Sequence, residues 1–218
     1  MGKRTIVVAN GVIAEPERIR ARAEALDDAQ VIAVDGGSKN CKLLGLDYDV
    51  VLGDLDSLEN EERESLRKSG VKVDSFPTLK DETDLELALL HAVDRGAQEI
   101  YILGAVGGRL DMTLSNIYLL AHPRLQGLKV RIWHGEQTAW LIRPPGDDID
   151  GRQGDTLSLI PIGSAARGIT THNLIYSLDG DELILGPARG VSNVLKGSPA
   201  RIMLQQGLLL AVHTPGRA

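Results

Sequence analysis

Residues 50–58, VVLGDLDSL, end an apolar run with two carboxylates one residue apart, Asp54 and Asp56. Like charges this close repel each other, and each resists removal from water. Solvent, a basic side chain or a metal ion must therefore compensate them. The pair alone does not decide among these three, because a D-x-D sequence also arises by chance and aspartate is common in turns and helix caps.

Similar chemistry follows other strand-like segments. Five segments that come after predicted strands contain glycine, carboxylate or both: 10–11, 35–37, 53–57, 78–84 and 104–111. Ligands of an open parallel sheet bind in the crevice outside the carboxyl ends of its strands. We therefore expect six carboxylates to converge along one edge of a sheet: Asp35, Asp54, Asp56, Asp81, Asp84 and Asp111.

Such a set of carboxylates predicts a bound cation. Mg²⁺ prefers oxygen ligands and usually binds through one or two carboxylates together with substrate phosphates. Lys80 and Arg109 would supply positive charge to phosphate oxygens, and glycines at 36, 37, 53, 104, 107 and 108 would permit close approach of the backbone. The pattern favours a site for a phosphorylated nucleotide. It is neither a P-loop nor a G-x-G-x-x-G dinucleotide site, because both patterns are absent.

Each of these residues also has an ordinary structural interpretation when it is taken alone. Asp81 or Thr83 could cap the following helix, Gly36-Gly37 could form a turn, and Arg109 could be a surface residue. The same chemical character in five segments is an unlikely coincidence of five independent caps. The set as a whole therefore favours function.

The elements that position these residues alternate in type up to about residue 133. Predicted strands lie at 5–9, 31–34, 50–52, 71–74, 100–103 and 130–133, and predicted helices at 17–26, 39–44, 59–68, 81–94 and 111–120. This alternation predicts an N-terminal three-layer α/β domain, residues 1–133, with a mostly parallel sheet. Short runs at 156–161, 169–171, 182–185, 201–204 and 208–213 predict a smaller antiparallel β domain, residues 134–218, with a loop at 144–148.

Composition narrows the classes of partner. A net charge of −6 gives no long-range attraction for nucleic acid or an anionic membrane, and an aromatic content of 3% leaves few platforms for stacking bases. Cys41 is the single cysteine, so neither an internal disulfide nor a zinc cluster is expected. The N-terminal apolar run is too short for a signal peptide and no segment approaches a membrane span, which predicts a cytoplasmic protein.

Four ordered motifs resemble the signature of the thiamine pyrophosphokinases. They are DGG at 35–37, GDLDS at 53–57, KDETDL at 80–85 and GGRLD at 107–111. Two later stretches are also similar to this family: LSLIP at 157–161, and RGVSN at 189–193, which resembles a thiamine-site motif. The resemblance extends from about residue 6 to 213, nearly the whole chain.

The resemblance implies transfer of the pyrophosphoryl group of ATP to the hydroxyl of thiamine, giving thiamine diphosphate and AMP. It implies a C-terminal β-sandwich and a homodimer whose active sites form between subunits. It implies Mg²⁺ and pyrophosphate contacts for Asp54, Asp56, Asp81 and Asp84. It implies ATP contacts for Asp35, Gly36, Gly37, Lys80, Thr83, Arg109 and Asp111, and thiamine contacts for Ser192 and Asn193.

The chain departs from the family pattern at two places. Met112 stands where the family commonly has histidine, and NLIY at 173–176 stands where it has G-L-K-Y.

The spacing of Asp81 and Asp84 predicts that both lie on one face of a first helical turn, where a carboxylate could accept the hydroxyl proton. The sequence does not specify which carboxylate does so.

Other functions remain open from the residues alone. A phosphatase could use Asp54 as a covalent nucleophile, although such enzymes place the acidic pair after the first strand and here it follows the third. A sugar-nucleotide transferase could bind Mn²⁺ through the D-x-D. A non-catalytic sensor could bind thiamine or a nucleotide without turnover.

Overall fold

The computed structural model of the chain describes residues 2–53, 72–75 and 81–216, with residues 72–75 described by their backbone. The contacts divide the chain into two compact units, Met1–Gly135 and Glu136–Ala218. Within the described ranges, no helix combines the length and the apolar character needed to cross a membrane.

The first unit is built on six strands that pair in parallel. They are β1 Lys3–Val8, β2 Gln30–Val34, β3 Val50–Gly53, β4 Lys72–Ser75, β5 Ala97–Leu103 and β6 Lys129–His134. Their spatial order is β6-β5-β1-β2-β3-β4. The chain adds β2, β3 and β4 on one side of β1 and then returns to place β5 on the other side. The strand order thus reverses between β1 and β5, the point at which a parallel sheet opens a ligand crevice.

Helices cover both faces of this sheet: α1 Pro16–Glu24, α2 Gly37–Leu44, α3 Asp84–Asp94 and α4 Leu110–Leu119. Ile19 of α1 and Leu44 of α2 pack with Val8 and alternate residues of the neighbouring strands in one buried cluster. Helix α3 packs against β1, β2, β3 and β5, with Leu85 and Leu89 buried. Because successive strand residues point to opposite faces, α3 covers the side away from α1 and α2. The predicted three-layer α/β fold is confirmed.

The start of α3 differs from the prediction. Thr83 is extended, with φ −74° and ψ 157°, and its hydroxyl accepts a hydrogen bond from the N–H of Glu86 at 3.2 Å. A threonine cap of this kind ends the non-helical segment, so the helix begins at Asp84. Asp81 therefore precedes the helix, and the prediction that Asp81 and Asp84 share one face of its first turn is wrong. The predicted helix at 59–68 lies outside the described residues.

The second unit contains two antiparallel sheets. Its strands are β7 Gln137–Ile142, β8 Gly146–Ile149, β9 Thr156–Pro161, β10 Ala166–His172, β11 Asp181–Leu183, β12 Asn193–Val194, β13 Ala200–Met203 and β14 Leu209–Thr214. One sheet has the order β12-β9-β14-β7 and the other β11-β10-β13-β8. Leu157 and Leu209 of the first sheet share a buried cluster with Ile169 and Ile202 of the second. This packing confirms the antiparallel β domain of the predicted fold class.

The predicted loop at 144–148 is wrong in its second half. Residues 146–149 form β8, which pairs with β13, and Arg201 of β13 donates two hydrogen bonds to Asp148, at 2.7 and 2.8 Å. The glycine and aspartates of this segment are typical of turns. Pairing across to β13, a distant part of the chain, overrides that local preference. Strand β7 was also absent from the predicted elements.

Candidate functional site

A cavity of about 620 Å³ lies at the carboxyl ends of β1, β2 and β5, at the reversal of strand order in the first unit. Its volume is in the range that accommodates a small-molecule ligand. Four parts of the chain line it: residues 9–12 after β1, residues 34–35 at the end of β2, residues 82–85 at the start of α3, and residues 104, 105, 107–109, 112 and 116 from β5 into α4.

Backbone contacts between the ends of β1 and β5 form the base of this cavity. The N–H of Gly11 donates to the carbonyl of Gly104 at 2.8 Å, and Asn40 of α2 donates to the carbonyls of Ala9 and Gly11 at 2.7 and 2.9 Å. Gly104 has φ +65°, and a Cβ there would lie 2.3 Å from the carbonyl oxygen of Ala9. Only glycine permits both the left-handed conformation and the close approach of the two strand ends.

Gly36 and Gly37 place the beginning of α2 against the end of β1. A Cβ on Gly37 would lie 2.0 Å from the carbonyl oxygen of Val8, and one on Gly36 would lie 2.5 Å from the side-chain nitrogen of Asn10. The close approach that these glycines permit is thus to the protein's own β1 and to Asn10. Contact of either glycine with ATP stays a prediction.

Three carboxylates, those of Asp35, Glu82 and Asp84, are among the residues that line the cavity and form its acidic lining. Asp35 has φ +47°, and its N–H donates to the carbonyl of Leu52 at 2.7 Å, which fixes the turn that follows β2. Carboxylates supply the oxygen donors that Mg²⁺ prefers. Among the residues that the structure describes, no group of three or more histidine, cysteine or acidic side chains is arranged as a metal site. Asp54, Asp56 and Lys80 lie outside the described ranges.

Arg109 lies at the exposed end of the cavity and forms an ion pair with Asp111. Its Nε donates to Oδ1 at 3.1 Å and its Nη2 donates to Oδ2 at 2.5 Å. The hydrogen bond from Arg109 lowers the pKa of Asp111 below its usual value, and the bond to Asp111 raises the pKa of Arg109. The Arg109 side chain is 75% exposed, and water screens such a pair strongly. Exchange of the carboxylate for a phosphate would therefore cost little.

Helix α4 contributes two further lining residues, Met112 and Asn116. Met112 brings a thioether to the position where the family commonly has an imidazole. Asn116 is buried, and its side-chain nitrogen donates to the carbonyl of Ala105 at 2.7 Å. The sequence analysis did not identify Asn116. The available signal was a poor helix former at the centre of the apolar stretch TLSNIYLL, a position where asparagine needs a specific reason.

Ser192 and Asn193 lie in the second unit, where Asn193 is almost fully buried. The Asn193 oxygen accepts hydrogen bonds from the N–H groups of Tyr176 and Val194 at 3.0 and 2.9 Å, and its nitrogen donates to the carbonyl of Tyr176 at 2.6 Å. Ser192 has φ +59°, and its N–H donates to the hydroxyl of Ser158 at 3.0 Å. Asn193 therefore holds the segment that presents Tyr176, whose surface is 68% exposed.

The structure accounts for the asparagine at position 173, where the family pattern has glycine. Asn173 has φ +61°, a left-handed conformation that asparagine tolerates better than most residues. Its side chain donates to the carbonyl of Pro199 at 2.8 Å, and its carbonyl accepts from the N–H of Lys196 at 2.8 Å. The replacement thus preserves the backbone turn that glycine would allow.

The sequence-predicted residues thus fall into four groups. The structure brings Asp35, Thr83, Asp84 and Arg109 to one cavity. Four others lie close to these residues in the chain but outside the set that lines the cavity: Gly36, Gly37, Asp81 and Asp111. Ser192 and Asn193 belong to the other unit. Asp54, Asp56 and Lys80 form the fourth group, outside the described residues.

Comparison with known proteins gives matches to both units. Residues 23–132 match the family model described as thiamin pyrophosphokinase, catalytic domain, and residues 146–209 match that described as thiamin pyrophosphokinase, vitamin B1 binding domain. A thiamine pyrophosphokinase of Bacillus subtilis (strain 168) is 29% identical over 185 residues, which cover 84% of this chain and 86% of that protein.

Solved structures give the same result. The crystal structure of thiamine pyrophosphokinase from Bacillus subtilis superimposes with a TM-score of 0.85 at 26% identity, covering 98% of this chain and 99% of that one. The crystal structure of yeast thiamin pyrophosphokinase has a TM-score of 0.82 at 17% identity, covering 98% of this chain and 86% of that one. At that identity the yeast structure supports the fold alone.

Proposed function

Because the chain belongs to the thiamin pyrophosphokinase family, we propose that it transfers the pyrophosphoryl group of ATP to the hydroxyl of thiamine, releasing AMP and thiamine diphosphate. The observation that carries this proposal is the acidic, glycine-based cavity at the reversal of strand order. It lies in the unit that the catalytic-domain model matches, and it is large enough for a nucleotide.

ATP would occupy this cavity with its phosphates toward the exposed, charged end. Arg109 can exchange Asp111 for phosphate oxygens there, and a planar guanidinium suits two-pronged contact with phosphate. The beginning of α4 follows directly, at Leu110, and N–H groups at the start of a helix favour an anion. Lys80 is proposed for the same role on the resemblance alone.

The acidic lining fits Mg²⁺ by its donor chemistry, since Asp35, Glu82 and Asp84 offer carboxylate oxygens to an ion in the cavity. Of these, Asp84 belongs to the set that the resemblance assigns to the metal, and Asp54, Asp56 and Asp81 complete that set. Bound there, the ion would neutralise charge on the transferred group and on the departing AMP.

The reaction joins the thiamine hydroxyl oxygen to the β-phosphorus and breaks the bond between that phosphorus and the oxygen shared with the α-phosphorus. The protein's main contributions are to position the two substrates and to stabilise charge. A carboxylate of the acidic lining accepts the hydroxyl proton in this proposal. AMP leaves with the bridging oxygen.

Thiamine binding and a homodimer are proposed for the second unit. The vitamin B1 binding model matches residues 146–209, and Asn193 orders the neighbouring segment at 175–176. Exposed apolar side chains in this unit, Ile175, Tyr176, Ile184 and Leu185, support contact with a second subunit. The net charge of −6 favours small-molecule substrates over nucleic acid, and the cytoplasm stays the expected compartment.

The test is incubation of the full chain with ATP, Mg²⁺ and thiamine, with the nucleotide and thiamine products separated by chromatography. Equal amounts of AMP and thiamine diphosphate support the proposal, and a reaction without thiamine is the control. ADP or free phosphate would instead indicate a kinase or phosphatase. Binding of both substrates without any product would indicate a sensor.

A further inference from the structure

Asn116 contains a buried hydrogen-bond acceptor that none of the residues described by the structure satisfies. Its side-chain nitrogen donates to the carbonyl of Ala105, whereas its side-chain oxygen has no partner within the described ranges. A buried carbonyl without a donor destabilises a folded protein, and native structures retain few of them. Since Asn116 lines the cavity at the carboxyl ends of the strands, a ligand in that cavity is in a position to supply the donor.

The cavity is lined by residues of different character. Ala9, Val34, Leu85 and Ala105, which line it together with Asn116, are all buried and apolar. Arg109, by contrast, is largely exposed, and it is the N-cap residue of α4, about two helical turns or about 10 Å before Asn116. A nucleotide likewise combines an apolar planar base with charged phosphates. Phosphates placed near Arg109 would therefore leave the buried lining around Asn116 to the base.

We propose that the side-chain oxygen of Asn116 accepts a hydrogen bond from the 6-amino group of adenine, and so makes the site selective for adenine nucleotides. Guanine and hypoxanthine carry an oxygen at this position, which would face the Asn116 oxygen as a second acceptor. The bond to Ala105 fixes the orientation of the amide, so the oxygen cannot readily exchange places with the nitrogen. This inference rests on the proposed function, because it requires a purine nucleotide in the cavity.

Access to the oxygen requires an adjustment of the cavity lining, because the oxygen is buried. Met112 lies one helical turn before Asn116 and lines the same cavity. Its unbranched thioether can adopt other rotamers at little cost. A residue of this kind is suited to shift as a base enters.

The experiment measures dissociation constants of the full chain by titration calorimetry with Mg²⁺ and without thiamine. The ligands are ATP, purine riboside triphosphate, which lacks the 6-amino group, and inosine triphosphate. We expect the unmodified chain to bind ATP about ten-fold more tightly than purine riboside triphosphate, the scale of one hydrogen bond to a buried group. Inosine triphosphate is expected to bind more weakly than ATP by at least the same factor.

Two variants identify the residue that reads the base. Asn116→Leu removes the acceptor at similar volume, and we expect its preference for ATP over purine riboside triphosphate to fall to about one. Asn40→Leu is the matched control, since Asn40 also ties a cavity segment through its side-chain nitrogen. Asn40→Leu is expected to change both dissociation constants together and to leave their ratio intact. Circular dichroism checks that each variant folds.

The outcomes separate this inference from the proposed function. Equal binding of ATP and purine riboside triphosphate by the unmodified chain would overturn the inference while leaving ATP binding intact, even if the Asn116 variant did not fold. An unchanged preference in folded Asn116→Leu would also overturn it. Loss of thiamine affinity in that variant, with the nucleotide ratio unchanged, would assign the acceptor to thiamine's own amine. Failure of the unmodified chain to bind any nucleotide would contradict the proposed function itself.

Discussion

Asparagine has opposite roles in the two units of this chain. In the second unit, Asn193 uses both of its side-chain polar atoms to hold Tyr176 and Val194. In the first unit, Asn116 uses its nitrogen to hold Ala105, and no described residue pairs with its oxygen at the cavity. The hydrogen bonds of each side chain thus distinguish an asparagine that stabilises the backbone from one that is suited to bind a ligand. The sequence motif, by contrast, pointed to Asn193 and passed over Asn116.

The largest effect is expected for Asp84→Asn, which keeps the shape of a residue in the acidic lining of the cavity and removes its charge. We expect kcat to fall by about a hundred-fold or more, the scale of losing one electrostatic contact in a transition state of this kind. Steady-state formation of AMP measures it, with the thermal midpoint as a control for folding. Near-normal kcat in a folded variant would remove Asp84 from the proposed machinery.

The next largest effect is expected on the free energy of unfolding, where Asn193 and its neighbour Ser192 should differ. Asn193→Ala leaves the N–H and carbonyl groups of Tyr176 without their partner, and we expect a loss of about 2 kcal/mol in the free energy of unfolding. Urea denaturation followed by circular dichroism measures this loss. Ser192→Ala is the control, and we expect it to change stability by less than about 0.5 kcal/mol. Equal losses in both variants would contradict the structural role assigned to Asn193.

A pH-dependent effect on stability is expected at Asp155, another side chain of the second unit in which both polar atoms form hydrogen bonds. Burial alone would raise the pKa of Asp155, but hydrogen bonds from the N–H groups of Arg152 and Gly216 and from His213 outweigh it, so the pKa lies below its usual value. The ionised form is therefore the stabilising one. Its contribution is complete above the unfolded-state pKa of about 3.9 and is lost as pH falls through the lowered value.

Asp155→Asn tests this linkage. The variant should be less stable than the unmodified chain at pH 7, and the difference between the two should narrow as pH falls below about 4. Urea denaturation at a series of pH values measures both chains. A difference that stayed constant down to the acid limit would show that the charge of Asp155 is not the source of its contribution.

The smallest effect on stability is expected for Asp111→Asn. Both members of its ion pair with Arg109 are exposed, and such pairs contribute little to folding. The unfolding midpoint should therefore stay unchanged, whereas the KM for ATP should change because Arg109 is left with a different neighbour. A clear fall in the midpoint would contradict this, because it would show that the pair stabilises the fold as the hydrogen bonds of Asn193 and Asp155 do in the second unit.

The sequence was sufficient to predict the elements in which buried residues recur with a regular period. The parallel strands and α3 follow from apolar runs and a helical apolar face, and the predicted convergence of loops placed Asp35, Asp84 and Arg109 at one cavity. The start of α3 was misplaced because two acidic residues, Asp81 and Glu82, precede Thr83, and local preference does not show whether they lie inside the helix or before its cap. Strand β8 was missed because its pairing partner lies about fifty residues away.

The role of Asn116 could not be predicted for a related reason. One polar residue in a helix has many structural explanations, and only three-dimensional contacts show that its nitrogen is bonded while its oxygen has no partner in the part of the chain that the structure describes. Asp54, Asp56 and Lys80 lie outside the described residues, so their proposed roles still depend on the resemblance.

The close approach of Gly104 to Ala9 has a consequence for how this site could be altered. The ends of β1 and β5 are fastened to each other and to Asn40, so the base of the cavity has no room to adapt. Any adjustment to a different base must come from other lining elements, such as α4. Attempts to broaden the range of accepted nucleotides should therefore redesign α4 and leave Gly104 and the two strand ends unchanged.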